Sequence, residues 1–442
     1  MTAADQLRVL VVNGESMHSP SPTGVTLSTV LGGLRPDQVL ELTLSPGAPA
    51  EDGRAPSLLL PGSVFPLRHL ARRFLGGAGV AAAVNQQVRD AELAGDSARA
   101  RGRTRLRALG NAYLDLGPVR LPRRYRAAIR DFAPHVVYTA GCTIGINRLA
   151  LAAGRVAGAP VLMHYLDNWR ESLYAESATW LPRRALARSV RRVEAGSGSA
   201  LVISDRMGEA YGGGRPVRYF TLMNAAEPAP ASSPPPRRPD APLRVVYTGG
   251  LHLRRHESML VVEEAVRELR DAGTPCELVI HLSPKDDWLR PRFDPATTTF
   301  APYVAHDQLP EVYAAADVLV HAESFDPAVR TFIRYSISTK ISEYLAAGRP
   351  ILCYAPAGTA LQDYVSSSGA GLAPTSPDDL RHDLRRLATD PGLRATMGAE
   401  GRRVAHERHT PEAAHATLEA AIRTALSSRG RTAESGREAG SR

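Results

Sequence analysis

Lysine is almost missing from this sequence. Two lysines, Lys285 and Lys340, stand against 52 arginines in 442 residues. A guanidinium is a planar fork and an ammonium a compact point charge, so the two are not equivalent at a tight anion site. A composition that has nearly exchanged one for the other keeps lysine where the compact charge is needed, and this singles out Lys340. Cysteine is scarce as well. Cys142, Cys276 and Cys353 are widely spaced and odd in number, which argues against a disulfide framework or a cysteine metal site and fits reduced thiols in a cytoplasmic protein. No run of 18 or more apolar residues occurs, so no membrane-spanning helix is expected. The first eight residues lack a basic stretch followed by an apolar core and do not read as a signal peptide. No G-x-G-x-x-G follows a strand pattern, which disfavours a dinucleotide oxidoreductase. Asp286-Asp287 is adjacent and lacks a D-x-D spacing, so no metal ligand set is expected.

What is present begins with charge. The net charge is +9, a modest excess that suits anionic partners such as nucleotides or membrane surfaces; nucleic acid is not an expected partner. The strongest basic stretch is 68–130, with Arg68, Arg72 and Arg73, then Arg99 to Arg107, then Arg120 to Arg130, and apolar residues between them. Two readings are open: a solvated helix face, or a basic amphipathic surface that makes peripheral contact with anionic lipid at the inner membrane face.

Short apolar runs alternate with helical patterns. Leu7–Asn13 reads as a buried first strand, and the Ser/Pro/Gly loop 14–24 leads to a helical stretch 25–34. Strand patterns recur at 136–138, 161–164 and 200–204, with a helical pattern at 147–156. Residues 227–242 (EPAPASSPPPRRPDAP) cannot build a core and read as an extended linker. The alternation then restarts: strands at 243–248, 276–282, 317–321 and 350–354, helices at 258–272 and 338–347. Thr410-Pro411 opens a last helix with Leu418, Ile422 and Leu426 on one stripe. The expected organisation is an N-terminal α/β domain over 1–226, the linker 227–242, a second α/β domain over 243–408, a helix over 409–428 returning to the N-terminal domain, and a disordered tail over 429–442.

Residues 336–350 (SISTKISEYLAAGRP) carry the clearest chemistry. N-cap residue types, Ser338 and Thr339 among them, precede a helical run. Lys340 falls in its first turn, where free amides, hydroxyls and an ammonium can converge on phosphate oxygens. Glu343, three residues on, shares that helix face and can accept from two ribose hydroxyls. Ala346-Ala347-Gly348 ends the helix with a C-cap glycine. Taken alone, this is also the pattern of an ordinary capped amphipathic helix.

The stretch STKISEYLAAGRP resembles the donor motif of the large retaining GT-B glycosyltransferases (glycosyl transferase group 1, family 4-like), written P/S-x-K-x-x-E-Y-x-A-x-G-x-P. Further resemblances follow in order along most of the chain: Ile203–Met207 with "vSe-x-M", Leu222–Ala225 with "ipNgvd", Tyr247–Leu251 with "yvGrl", Leu309–Val320 with "lp-x-x-y-a-x-aDvlv", and Leu393–Gly401 with "lr-x-x-mg-x-x-gr". The resemblance implies an α/β GT-B fold, two Rossmann-like domains with parallel sheets facing across a cleft. It implies a metal-independent, retaining, hexosyl-type transfer from a nucleotide sugar, UDP- or GDP-linked, to an acceptor hydroxyl of a glycan, glycolipid or small natural product, with no further cofactor. Polysaccharide biosynthesis is the expected setting.

Carried over residue by residue, the resemblance makes Lys340 the diphosphate ligand and Glu343 the ribose ligand, with Ser338 and Thr339 beside them. Arg255, in preference to Arg254, follows the glycine turn at Gly250 as the second phosphate cation. Tyr303 and Val304 lie in the stretch 300–304 that binds the base through its backbone, and Gly24 is the N-domain loop glycine that approaches the sugar or phosphate. Many members have two glutamates eight positions apart; Glu343 is the second, and the first position is Tyr335. Glu323 or Asp326 is then the candidate for the missing acid. On the acceptor side His164-Tyr165-Leu166-Asp167 follows a strand, and His164 and Asp167 are candidates to hydrogen-bond the sugar or steer the acceptor proton; a strand-end polar cluster is the plainer reading. Two other function classes remain at this point, a sugar-nucleotide epimerase on the same fold and a non-catalytic nucleotide-sugar-binding protein.

Overall fold

A computed structural model describes residues 7–19, 21–47, 54–75, 98–214, 216–227 and 241–439. Most of the linker, 228–240, and residues 76–97 of the basic stretch lie outside the described residues. The chain divides into two compact units, Met1–Leu222 with Ala414–Arg442, and Met223–Ala413.

The first unit holds a seven-stranded parallel sheet, in the order β3-β2-β1-β4-β5-β6-β7. Its strands are β1 (Val9–Asn13), β2 (Val39–Thr43), β3 (Ser57–Leu59), β4 (Val136–Thr139), β5 (Val161–Tyr165), β6 (Ser199–Val202) and β7 (Arg218–Thr221). The central strands are mainly apolar and buried along their whole length, as a parallel sheet covered by helices on both faces requires. β2 is buried too, although it carries Glu41. That carboxylate accepts from Ser16 Oγ (2.8 Å), Met17 N (2.5 Å) and Ser57 Oγ (2.6 Å), so it ties down the loop after β1.

The second unit repeats the plan with six strands, in the order β10-β9-β8-β11-β12-β13. They are β8 (Leu243–Gly249), β9 (Cys276–Leu282), β10 (Thr298–Ala301), β11 (Val318–Ala322), β12 (Ile351–Tyr354) and β13 (Gly371–Leu372). In both sheets the chain winds outward from the first strand and then reverses to its other side. Beside that reversal the carboxyl ends of two adjacent strands open a crevice, the usual place for a ligand in such folds. In the second unit the two strands are β8 and β11.

The last helix runs Pro411–Ala439, so 429–439, expected to be disordered, continue it. Alanine, glutamate and arginine dominate those residues, and their helix propensity outweighs two glycines. Leu418, Ala421 and Ile422 are buried in the core of the first unit's sheet, and burying the two larger side chains stabilises the docking by about 3–6 kcal/mol. The buried stripe is completed by Ala425, whereas Leu426, expected on it, is exposed. The backbone comes close here, because Ser199 Oγ donates to Ala421 O at 2.9 Å, and small residues permit that approach.

Candidate functional site

The site is built on the carboxyl ends of β8 and β11. β8 ends at Gly249, whose φ of +100° is open to glycine and strained for other residues. A Cβ there would lie 2.9 Å from Lys340 Nζ. Gly249 therefore serves two purposes: it turns the chain and it leaves room for the ammonium. The next residue, Gly250, is packed against Asp286, whose Oδ2 would be 2.9 Å from an added Cβ. The same carboxylate accepts from Leu251 N at 2.9 Å and fixes the turn. Asp287 is paired with Arg290 at 3.0 Å.

Lys340 is the first residue of the helix Lys340–Ala347. The expected side-chain cap is not made: Thr339 is the N-cap residue in a helical conformation, with no side-chain cap hydrogen bond. Ser338 and Thr339 are partly exposed in the turn that enters the helix, and their carbonyls accept from Ile341 N (3.0 Å) and Ser342 Oγ (3.0 Å). Thr339 thus puts no side-chain oxygen over the first turn, and the positive end of the helix suits an anion. Lys340 Nζ lies 4.2 Å from the centroid of the Tyr247 ring and donates to Tyr247 OH at 3.2 Å. That hydroxyl in turn donates to Gly250 O at 2.6 Å. Burial, then the charge of nearby Arg255, pushes the ammonium down to about 7.

Arg255 opens the helix Arg255–Asp271. Leu253 and Arg254 before it are both left-handed, with φ of 61° and 58°, a costly conformation for two side-chain-bearing residues. Arg254 is held by Glu257 (2.6 Å) and Asp326 (2.5 Å). The strained turn aims Arg255 at Glu323, the residue after β11. Arg255 Nε and Nη2 donate to the two Glu323 oxygens at 3.0 and 2.7 Å. His321 Nε2 donates to Glu323 Oε1 at 3.0 Å; burial pushes that imidazole down to about 4, so it is neutral near pH 7. Burial alone would raise the Glu323 carboxyl, but Arg255 and His321 outweigh it and hold it well below the usual carboxylate range.

Glu323, expected as a candidate for the missing acid, is 4% exposed and engaged with Arg255 and His321. Asp326, the other candidate acid, caps the helix Pro327–Ile333 and pairs with Arg254. Tyr335 is buried after that helix.

Glu343 lies one turn along from Lys340. Tyr313 OH donates to Glu343 Oε2 at 2.8 Å and is 3.2 Å from Thr248 Oγ1. His306 Nδ1 is 3.7 Å from the other oxygen. Tyr303 and Val304 follow β10, in the turn before His306; Tyr303 is exposed and Val304 partly so. The structure thus gathers Gly250, Arg255, Lys340, Glu343 and the 303–304 turn along one edge of one sheet.

Three candidates belong to the first unit. Gly24 sits in the first turn of the helix Pro22–Leu31, and a Cβ would be 2.1 Å from Ser19 O. The packing of its own loop therefore already demands glycine. His164 is fully buried in β5. Its Nε2 faces the Leu222 carbonyl at 3.3 Å and must donate, so Nδ1 accepts from Tyr138 OH at 2.6 Å. Burial pushes it down to about 4. Both nitrogens of His164, expected as an acceptor-side candidate, are engaged within the core. Asp167 lies in the partly exposed turn after β5.

Residues 254–420 match the model of a family described as glycosyl transferase-like. No curated protein matches the chain. Among solved structures, Anabaena Alr3699/HepE in complex with UDP is similar with a TM-score of 0.61 at 13% identity, over 95% of this chain and 100% of that one. Alpha,alpha-trehalose 6-phosphate synthase from Burkholderia multivorans aligns with a TM-score of 0.58 at 13% identity, over 95% and 99%. Sucrose-phosphate synthase from Thermosynechococcus elongatus gives 0.56 at 14%, over 94% and 98%. The chain has the GT-B fold. In this GT-B chain the family match falls on the unit that carries Lys340 and Glu343. Sequence reading of the GT-B motif missed Tyr247, Tyr313 and His321, which hold the charged residues in place. Tyr247 and Tyr313 lie in the stretches Tyr247–Leu251 and Leu309–Val320 that carry the resemblance, and His321 ends the strand expected at 317–321, but no local pattern gives any of them a supporting role.

Proposed function

We propose that the protein transfers a sugar from a nucleotide-sugar donor to an acceptor hydroxyl, with retention at the anomeric carbon and without a metal ion. The observation that carries this is Lys340. It is a partly buried ammonium at an uncapped helix start, and among the described residues no ion pair holds it; its hydrogen bond is to the neutral Tyr247 hydroxyl. Burial that lowers a lysine toward 7 has a cost, and a diphosphate relieves it. In the reaction the bond from the anomeric carbon to the phosphate oxygen breaks, and negative charge grows on the departing diphosphate. Lys340, Arg255 and the first-turn amides are donors set in advance for that charge. The acceptor oxygen bonds to the anomeric carbon on the same face, and its proton passes to the departing phosphate oxygen.

Glu343, steadied by Tyr313, accepts from the ribose hydroxyls, and the backbone at 303–304 reads the base. A UDP-sugar is the favoured donor, with a GDP-sugar next; Alr3699/HepE has been crystallised with UDP-glucose, which supports the first. The acceptor, a glycan, glycolipid or small natural product, belongs to the first unit, with Asp167 as its candidate contact. Peripheral contact with a membrane is part of the same reading. An epimerase would need a carboxyl that delivers a proton, and Glu323 is held as a carboxylate by Arg255.

The test is a melting-temperature screen against UDP-, GDP-, ADP- and dTDP-sugars. A ligand at 100 times its Kd stabilises the folded state by about 2.7 kcal/mol, a rise of about 5–10 °C for a domain of this size. A rise with one nucleotide class and none with the free sugar is expected. No rise with any nucleotide sugar refutes the reading.

A further inference from the structure

The first unit carries a surface that donor chemistry does not use. Leu67 and Leu70 are exposed on the helix Pro66–Leu75, Leu106 and Tyr113 on the helix Ala98–Leu114, and Trp180 and Leu181 at the start of the helix Trp180–Ser197. Leu106 is 71% exposed and Trp180 55%, so these are open side chains and not the edges of a core. The three segments are joined through residues 113–117. Tyr113 OH donates to Ala178 O at 3.0 Å, two residues before Trp180. Arg68 pairs with the buried Asp115 at 2.8 Å, and Leu67 packs against Gly117. Leu106 lies seven residues before Tyr113, hence on the same face of its helix.

Among the described residues, positive charge predominates around these side chains. The helix Ala98–Leu114 has five arginines and no acid, and 180–193 has five arginines and no acid. Arg105, Arg107, Arg183 and Arg188 are exposed, and Arg184 lies 5.3 Å from the Trp180 ring. Of the neighbouring acids, Asp115 and Glu194 are buried; Glu176 is exposed. Single exposed apolar residues are ordinary, but a linked set of large ones needs a reason. Interleaved arginine with leucine, tryptophan and tyrosine has the composition of a surface lying in a lipid headgroup layer, with rings and leucines at the acyl boundary and guanidiniums on phosphates. A second copy of the same face would set arginine against arginine. Nucleic acid would leave the leucines unmatched.

We propose that this face docks on a bilayer of anionic phospholipid, with Trp180, Leu181 and Leu106 entering the headgroup layer. The assignment rests on the peripheral membrane contact of the proposed function and gives it a surface; no residue of the donor site takes part in it, so its failure and that of the donor reading are separable.

The test uses the full chain with Trp288→Phe, which leaves Trp180 as the exposed tryptophan because Trp169 is buried. It is mixed with sucrose-loaded vesicles of pure phosphatidylcholine, and of phosphatidylcholine with 30% phosphatidylglycerol as about a third of the lipid. Expected are co-sedimentation with the anionic vesicles only, a blue shift of Trp180 emission, and weakening as salt is raised. Arg105→Ala with Arg107→Ala should weaken partitioning by about 30-fold, about fivefold per arginine. Trp180→Ser with Leu181→Ser should abolish the sedimentation while circular dichroism and melting stay unchanged. Any of three results overturns the proposal: no binding to anionic vesicles at low salt, full binding by the Trp180→Ser/Leu181→Ser variant, or a Trp180 shift that appears on self-association without lipid.

Discussion

Replacing Glu323 by glutamine tests the arrangement that orients Arg255. The variant keeps shape and volume and removes one charge from a pair that is almost dry: the Arg255 side chain is 12% exposed and that of Glu323 6%. Removing one partner of a buried ion pair leaves the other charge uncompensated and costs about 3–5 kcal/mol. For a unit of this size that is a drop of roughly 6–20 °C in its melting transition. The pH dependence adds a second signature. Arg255 and His321 hold the folded-state pKa of Glu323 below its unfolded value, which is about 4.3. The pair's stabilisation is therefore fully present above that value and is lost as pH falls below it. Scanning calorimetry at pH 7 should show the large loss, and the gap between wild type and variant should narrow below pH 4. Adding Arg255→Met should restore part of the loss at pH 7, because it removes the buried guanidinium left without its counter-charge. A Glu323→Gln transition within about 1 °C of wild type at pH 7 would refute the buried-pair argument.

Two further outcomes follow from the same edge of the sheet. Gly249→Ala puts a Cβ 2.9 Å from Lys340 Nζ at a φ of +100°; backbone strain of about 1–3 kcal/mol and a displaced ammonium should lower both the melting temperature and the donor affinity, measured by calorimetric titration. Tyr313→Phe removes the 2.8 Å hydrogen bond to Glu343, a charge-assisted bond contributing about 1.5–3 kcal/mol; it should weaken a ribonucleoside diphosphate while barely changing the 2′-deoxy analogue, so that the Kd of the deoxy analogue divided by that of the ribonucleotide falls.

The framework of both sheets was legible because their inner strands are mostly aliphatic runs. β9 was expected at 276–282 and is found there. Three of the strands that escaped notice, β2, β7 and β10, carry charged or polar side chains. β2 contains Glu41, a charge that only its three buried partners make tolerable. β7 and β10 sit outside the inner strands and carry arginine or threonine in place of aliphatic side chains. The donor helix was legible through the spacing of Lys340 and Glu343. Its supports were not: nothing in the local sequence announces that Arg255 will meet Glu323 across 68 positions, or that His164 will be closed off by Tyr138. Such contacts arise from strand order, and a local pattern does not contain it.

The central claim is that the Lys340 ammonium receives the donor diphosphate, and proton-linked binding tests it most directly. The site holds Lys340 at about 7, so at pH 8 most of the free protein carries a neutral amine there, while a bound diphosphate favours the charged form. Titration calorimetry of the nucleotide sugar found by the melting screen, repeated at pH 8 in buffers of different ionisation enthalpy, should show uptake of close to one proton in wild type. Its affinity should fall as pH rises from 7 to 9. The Lys340→Ala variant, folded and melting near wild type, should bind at least about 100-fold more weakly, the loss expected of a buried charged contact, and take up no proton. Equal affinity in the two proteins, or the same proton uptake in both, would contradict the account.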